Sequence, residues 1–360
     1  MDFAFLIHSR DYKDVQRKFK IAKLLPKSWV EFWCLHWPPI IVSKITGLKS
    51  RTTNQEMKGW LIGIPMTAKQ MIEKRELAKK RVVQAIKKAE KIGAKIVGLG
   101  ALTSSITGGG EEIKDKIDIK ITPGHAYTTF TVSSYVLRAA NDFFPGRNPT
   151  IGIVGAAGSI GSYCAQRLAS KGLKKFILID LERKNHHLEN LLEKLKDINS
   201  NIEISSSHKI NDIKDADIII AATNAPEALI TPDDLKSGAI IIDDAQPSDI
   251  SEEVMKQRND VLVVDGGVVL TLDINAHFNL GLARKNDIFC CLGETLIMAC
   301  DAPTNDYCLK GADISLINQF GELGELLGFR IDNYQRSGKV YAPEKINEIK
   351  KIITEKLHNC

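Results

Sequence analysis

The stretch TIGIVGAAGSIG, residues Thr150 to Gly161, decides the fold. It begins as a short apolar strand, continues as a glycine-rich turn and ends as the start of an amphipathic helix. Gly155 permits the tight turn, Gly158 lets the backbone approach a pyrophosphate, and Gly161 lets the helix pack close to the strand. The helix amino terminus then faces the phosphates. The sequence therefore predicts a Rossmann-type dinucleotide site.

The contacts to the dinucleotide follow from this turn and from the strands beside it. The next strand ends in Asp180, at the spacing expected for a contact with the adenosine ribose. Its carboxylate would repel a 2′-phosphate and favours NADH, whereas Arg183 and Lys184 are close enough to pair with that phosphate and leave NADPH open. The predicted cofactor-binding residues are Gly155, Ala157, Gly158, Ser159, Ile160, Gly161, Asp180, Arg183, Thr223 and Gly266.

Apolar strands alternate with helical segments along the chain, which predicts parallel sheets covered on both faces. A long helix is predicted from Lys69 to Ile92. The predicted class is α/β, with an N-terminal α/β substrate-binding domain over residues 1–148 and a Rossmann domain over 149–270. A C-terminal helical segment over 271–360 carries the candidate nucleophile. The strand-like runs are FAFLIH, GWLIGIP, KIVGLGAL and IDIKIT in the first domain, and ADIIIAATN, AIIIDDAQP and DVLVVDGG in the second.

Composition narrows the class of protein. The chain has 360 residues, of which 44% are hydrophobic. Its net charge of +5 is too small to indicate nucleic-acid binding, but it suits an acidic partner or a phosphate-bearing ligand. Seven cysteines without disulfide-like spacing predict free thiols and a cytoplasmic location. No run of apolar residues reaches membrane-spanning length, and no His/Cys cluster has metal-ligand spacing, so no metal is expected. The oligomeric state is left open.

The segment SWVEFWCLHWPP carries an unusual aromatic pattern. Trp29, Trp33 and Trp37 recur every four residues, so on a helix they would share one face. That face could be packed core, an apolar wall for a long ligand or a peripheral membrane contact. The stripe alone does not choose among these.

Two glycine-rich stretches could supply polar groups to a site. GLGALTSSITGGG contains Ser104 directly after a strand, and ITPGHAYTT contains Thr122 and His125 just before a helix. Backbone amides in such turns can bind an anion or an oxyanion. His125 could move protons there, although a histidine that only caps or packs fits the pattern equally well.

The stretch NDIFCCLGE places Cys290 next to Cys291. With Asn286 or Asp287 as N-cap, both thiols fall in the first turns of a helix, where unpaired amides and the helix dipole favour a thiolate. Successive helical residues point about 100° apart, so one thiol faces a given cleft, and spacing slightly favours Cys291. Buried core cysteines are the alternative.

The chain resembles the long-chain acyl-[acyl-carrier-protein] reductase family almost from end to end. The resemblance lies in the order of the motifs FLIHSRDYKD, VEFWCLHWPPIIVSKIT, AEKIGAKIVGLGALTS, TPGHAYTT, GIVGAAGSIGS, DGGVV and IFCCLGE. The resemblance implies a shikimate-dehydrogenase-like or glutamyl-tRNA-reductase-like architecture and NADPH. It implies that Cys291 takes the acyl group from an acyl carrier protein or acyl-CoA. Reduction of this acyl group then releases a fatty aldehyde. The chain departs from the family at Asp180, and at His125, where the family has asparagine.

The activity expected from this resemblance is NAD(P)H-dependent reduction of a long-chain acyl thioester through a cysteine acyl-enzyme. The predicted catalytic residues are Cys291, His125, Thr122 and Ser104. Two alternatives remain. One is a cysteine-independent NAD(P)-dependent dehydrogenase of the shikimate or amino-acid type, and the other is a nucleotide-binding protein without turnover.

Overall fold

The computed structural model describes residues 1–9, 11–51, 53–301, 313–331 and 333–358. The first domain is built on a sheet whose strands are parallel except for the second, which runs antiparallel to the third. Its strands are β1 (Phe3–Ser9), β2 (Ile40–Ile45), β3 (Gly59–Thr67), β4 (Ile96–Leu99) and β5 (Lys120–Thr122), and its helices are α1 (Tyr12–Lys18), α2 (Lys27–His36), α3 (Ala68–Glu73), α4 (Arg75–Lys91), α5 (Leu102–Ile106) and α6 (His125–Phe143).

The second domain is a sheet of parallel strands connected by helices and turns. The described part of the chain then continues through short antiparallel strand pairs and further helices. The elements of the second domain are β6 (Thr150–Val154), α7 (Ser159–Ser170), β7 (Lys175–Ile179), α8 (Asn185–Ile198), β8 (Glu203–Ser207), β9 (Ile218–Ala221), β10 (Ile240–Asp243), α9 (Glu252–Gln257) and β11 (Leu262–Asp265). The remaining elements are β12 (Val268–Leu270), β13 (Asp287–Phe289), α10 (Cys290–Asp301), α11 (Ile314–Leu326), β14 (Gln335–Arg336), β15 (Lys339–Val340) and α12 (Pro343–His358).

The strand orders are β2-β3-β1-β4-β5 in the first sheet and β11-β10-β9-β6-β7-β8 in the second. The second order reverses direction between β6 and β9, and crevices at such points bind ligands in open α/β sheets. The predicted α/β class with a Rossmann domain is therefore confirmed. The predicted helix from Lys69 to Ile92 is interrupted at Lys74, whose backbone (φ −120°, ψ 53°) separates α3 from α4.

The C-terminal part returns to the first sheet. Because side chains alternate along a strand, Phe3 and Phe5 of β1 point to one face, where they pack with Leu296 of α10 and Phe320 of α11. Leu6 points to the other face, among the side chains of α4. Helix α10, which carries Cys290 and Cys291 at its start, is thus part of the core of the first domain.

The described residues contain no helix long and apolar enough to cross a membrane. They also contain no group of three or more His, Cys, Asp or Glu side chains arranged to hold a metal ion. The cysteines within them, at positions 34, 164, 290, 291 and 300, form no disulfide. Cys308 and Cys360 lie outside the described residues.

Candidate active site

The glycine-rich turn joins β6 to α7 at the carboxyl edge of the second sheet. Gly155 has φ +85°, and a Cβ there would stand 2.5 Å from the carbonyl oxygen of Ala222, so glycine is required. A Cβ on Gly161 would overlap the carbonyl oxygen of Gly155. No side chain of the described residues caps α7, and its first-turn amides have no intrahelical acceptor. The turn therefore presents N–H donors suited to a phosphate.

Asp180 follows β7, where it was predicted, but the protein itself engages its carboxylate. Oδ2 accepts a hydrogen bond from the Ala157 N–H (2.8 Å), and Oδ1 accepts one from the Leu181 N–H (2.8 Å). The ammonium of Lys184 lies 3.4 Å from Oδ1, and Arg183 is exposed in the turn beside it. The negative charge that would repel a 2′-phosphate is thus partly compensated, which weakens the sequence argument for NADH.

A cavity of about 930 Å³ opens between the two sheets. Its walls combine strand ends and turns of the first domain with the glycine turn and strand ends of the second. The predicted site residues that line it are Ser104, His125, Ala157, Gly158, Ser159, Ile160, Thr223 and Cys291, whereas Thr122, Gly155, Gly161, Asp180, Arg183 and Gly266 do not. The structure therefore places the candidate chemical groups beside the glycine turn.

Helix α10 begins later than the sequence predicted. Asn286 and Asp287 do not cap it, because Asp287–Phe289 pairs with β12 as strand β13 and the helix starts at Cys290. Asp287 instead forms an ion pair with Arg284 (2.9 Å). Both cysteines border the cavity, but Cys290 is buried with 1% of its surface exposed, whereas Cys291 is partly exposed.

Cys291 packs directly against the turn that carries His125. A Cβ on Gly124 would overlap the Cβ of Cys291, so only glycine allows this approach. Burial, with a smaller contribution from Asp244, raises the pKa of the Cys291 thiol to about 12, and the opposing effect of the Ala101 and Leu292 amides is smaller. At neutral pH this residue is a thiol. The expected thiolate is therefore not what the structure shows, because desolvation outweighs the helix terminus.

His125 begins α6, and its Nε2 lies 3.2 Å from the Oγ of Ser104. Burial lowers the pKa of the imidazole to about 4, so the ring is neutral at pH 7. A neutral imidazole paired with a hydroxyl can donate or accept a hydrogen bond to a substrate oxygen. Both side chains line the cavity.

Thr122 has a different position. It is buried and donates a hydrogen bond to the Glu294 carboxylate. The other oxygen of Glu294 accepts the Tyr127 N–H at 2.8 Å, at the start of α6. The carboxylate thus caps α6 and ties it to α10. Within this arrangement Thr122 and Glu294 position His125 and Cys291, and neither lines the cavity.

Sequence reasoning missed two acidic features of the cavity. Asp243 ends β10 and is bound by Arg336 at 2.7 Å. Its neighbour Asp244 also lines the cavity, and burial beside Asp243 and Asp249 raises the pKa of its carboxyl well above the usual value. No hydrogen bond to the Asp244 side chain occurs within the described ranges. The signal for these acids was present in IIIDDAQPSD, because acids directly after a parallel strand point into the crevice.

Known proteins resemble this chain in part. Residues 139–266 match the family model described as Shikimate / quinate 5-dehydrogenase. The chain is 28% identical over 349 residues to "Aminotransferase PigE" of Serratia sp. (strain ATCC 39006), a match over 92% of this chain and 40% of that protein. The chain therefore spans less than half the length of this curated relative.

Two solved structures have low overall similarity to this chain. Shikimate 5-dehydrogenase from Listeria monocytogenes, solved with shikimate and NAD, is 11% identical, with a TM-score of 0.35 over 73% of this chain and 86% of that one. The nucleotide-binding domain of glutamyl-tRNA reductase from Thermoplasma volcanium is 23% identical, with a TM-score of 0.28 over 38% of this chain and 84% of that one.

The resemblance to the long-chain acyl-[acyl-carrier-protein] reductase family is wrong. The matching family model is that of shikimate and quinate dehydrogenases, and neither the curated relative nor these two structures carries the name of an acyl reductase. The motifs behind that resemblance are short. Two of them, GIVGAAGSIGS and DGGVV, lie in the second domain at a glycine turn and a strand end of the kind found in many dehydrogenases.

Proposed function

We propose that the chain is an NAD(P)-dependent oxidoreductase of the shikimate-dehydrogenase type. One observation carries the proposal: the glycine turn that suits a dinucleotide opens onto the same cavity as Ser104, His125 and Asp244. The family match over residues 139–266 supports it. The reaction is hydride exchange between the cofactor and a carbonyl or alcohol carbon, without a covalent enzyme intermediate.

The residues of the turn fit the cofactor. The open amides at the start of α7 would bind the pyrophosphate, and the space left by Gly155 and Gly161 allows the strand and helix to meet behind it. When bound, the nicotinamide supplies or accepts the hydride. Arg183 and Lys184 beside the compensated Asp180 carboxylate favour acceptance of NADPH as well as NADH.

The protein would handle the substrate oxygen and its proton. The neutral His125–Ser104 pair offers a hydrogen bond to a carbonyl oxygen in the cavity. Burial raises the pKa of the Asp244 carboxyl and so favours its protonated form, which can give that oxygen a proton during reduction and recover it during oxidation. Both functions belong to groups within the wall of one cavity.

The same wall indicates the class of substrate. Among the described residues that line the cavity there is no lysine, and Arg336 is held by Asp243 and Asp265. The negative charge of a substrate carboxylate would therefore lack a cationic side chain to pair with among the described residues of this cavity. Apolar side chains, including Phe5 and Phe278, supply most of the remaining wall. We therefore expect a weakly charged, largely apolar carbonyl compound.

The test is hydride transfer, followed by nicotinamide absorbance, against apolar aldehydes and ketones in one set and hydroxy acids in another. Asp244→Asn should lower kcat about 100-fold or more while leaving the cofactor Kd unchanged. The exposed Asp273 provides the matched control, Asp273→Asn, which should be neutral. Full activity of Asp244→Asn would rule out Asp244 as the proton donor. Activity on hydroxy acids alone would rule out the proposed class of apolar carbonyl substrates.

A second candidate follows from Cys291 in the cavity wall. Its sulfur could attack an acyl thioester, displace the thiol of a carrier protein or coenzyme A, and hold the acyl group until reduction releases an aldehyde. The high pKa of Cys291 opposes this route unless a base in the bound complex removes the thiol proton. Intact-protein mass spectrometry with an acyl thioester and no cofactor distinguishes the two. An adduct on Cys291 that is absent in Cys291→Ala supports this candidate, and full activity of Cys291→Ala supports direct transfer.

A further inference from the structure

The segment from Tyr12 to Trp37 exposes an unusual amount of apolar surface. Ile21 is 70% exposed, Leu24 84%, Trp29 60% and Phe32 59%. The buried residues of α2 are Val30 and Cys34, so its aromatic stripe is not the packed core that the tryptophan spacing allowed. Large apolar side chains clustered at this exposure indicate a surface that meets another apolar phase.

The same segment is also basic. Between residues 12 and 37 the sequence has six lysines and arginines against two acids, a net charge of +4 where the whole chain has +5. Lys13, Lys23 and Lys27 are exposed among the described side chains. Basic residues interleaved with exposed tryptophan, phenylalanine and leucine are the combination that binds an anionic lipid surface.

The segment also borders the cavity. Val15, Phe19 and Trp37 line its wall, with Phe19 and Trp37 in edge-to-face contact at 5.6 Å between ring centres. The two helices have a small core of their own, formed by Val15 and Ala22 with the buried residues of α2. Trp37 is therefore both exposed at the surface and part of the cavity wall, so the apolar surface of this segment reaches the cavity.

We propose that the segment Tyr12–Trp37 docks on an anionic membrane surface and admits an apolar substrate from the lipid into the cavity. Lysines would pair with lipid phosphates while the exposed apolar side chains enter the interfacial region. The docking proposal depends only on the exposed apolar and basic side chains of this segment, whereas the route of the substrate rests on the proposed function. Vesicle binding is measured without turnover, so failure of one proposal is distinguishable from failure of the other.

The experiment is co-sedimentation of the full chain with phosphatidylcholine vesicles, with and without roughly one third phosphatidylglycerol. We expect at least tenfold stronger binding to the anionic vesicles, weakened by salt. Lys23→Glu should reduce it about fivefold or more, and the double variant Trp29→Ser/Phe32→Ser should lose at least tenfold. Because these side chains are exposed, the variants should keep the melting temperature of the wild-type chain.

Matched controls come from exposed residues elsewhere. Leu326 is 65% exposed in α11, and Lys256 is exposed in α9, so Leu326→Ser and Lys256→Glu should bind vesicles as the wild type does. Equal binding by all variants, or no binding to anionic vesicles, would overturn the proposal. Retention on an acidic protein matrix without vesicle binding would also overturn it and would make an acidic protein the partner.

Discussion

His125 provides the sharpest test of the site, through the pH dependence of stability. Burial lowers the pKa of its imidazole from 6.5 to about 4. As the pH falls below 6.5 the unfolded chain binds a proton on this residue, but the folded chain does not until the pH approaches 4. The folded state is therefore favoured by the neutral ring above pH 6.5 and is progressively destabilised between these two values.

The magnitude follows from the two pKa values. Between pH 7.5 and 5.0, linkage gives a loss of up to about 2 kcal/mol in the free energy of unfolding from this residue alone. The His125→Asn variant keeps a polar side chain at the helix start but cannot take up the proton. Its stability should therefore fall less over the same interval, by about that amount.

The assay is urea unfolding of both proteins at pH 7.5 and pH 5.0, with tryptophan fluorescence as the signal. Comparing wild type with variant cancels the other groups that titrate in this range. His186 is exposed on α8, so His186→Asn serves as the matched control and should follow the wild type. If His125→Asn and wild type lose the same stability within about 0.5 kcal/mol, the ring is not desolvated and its proposed role as a neutral hydrogen-bonding group fails.

Three further changes test the framework of the site. Gly155→Ala forces a Cβ toward the Ala222 carbonyl at a positive φ. It should therefore weaken cofactor binding at least tenfold, about 1.4 kcal/mol, as measured by fluorescence titration. An unchanged affinity would contradict the turn geometry. Glu294→Gln should lower the free energy of unfolding by about 1–3 kcal/mol and slow turnover, and a fully stable variant would show that the carboxylate does not hold α6. Arg336→Met leaves the Asp243 carboxylate buried and unpaired, so thermal unfolding should reveal a loss of about 3–5 kcal/mol.

The parts of the site that depend on local sequence were predictable. Gly155 and Gly161 require glycine for reasons of backbone geometry that involve only a few neighbouring residues, and the strand-turn-helix around them formed as expected. Asp180 is at the predicted position for the same reason. Its hydrogen bonds to Ala157 and Leu181 were not predictable, because ribose and turn amides compete for one carboxylate.

The parts that depend on distant contacts were not predictable. The start of α10 was placed too early because strand β13 exists only through its pairing with β12. The protonation state of Cys291 was misjudged, since a helix terminus is visible in sequence whereas burial under Gly124 is not. The tryptophans of α2 have helical spacing, but spacing alone does not determine whether that face of the helix packs in the core, lines a cavity or is exposed to solvent.

Glu294 explains how such distant parts form one site. It joins α10 to the end of β5 through a hydrogen bond from Thr122, 172 residues away in sequence, and to the start of α6 through one from Tyr127, 167 residues away. Cys291 and His125 are therefore fixed to each other within the first domain, whereas Asp244 and the glycine turn belong to the second. A dehydrogenase with this division would bind its substrate against the first domain and its cofactor against the second. Glu294→Gln should accordingly raise the substrate KM and leave the cofactor Kd unchanged, and a variant that loses both equally would show that the two halves of the cavity are not separable.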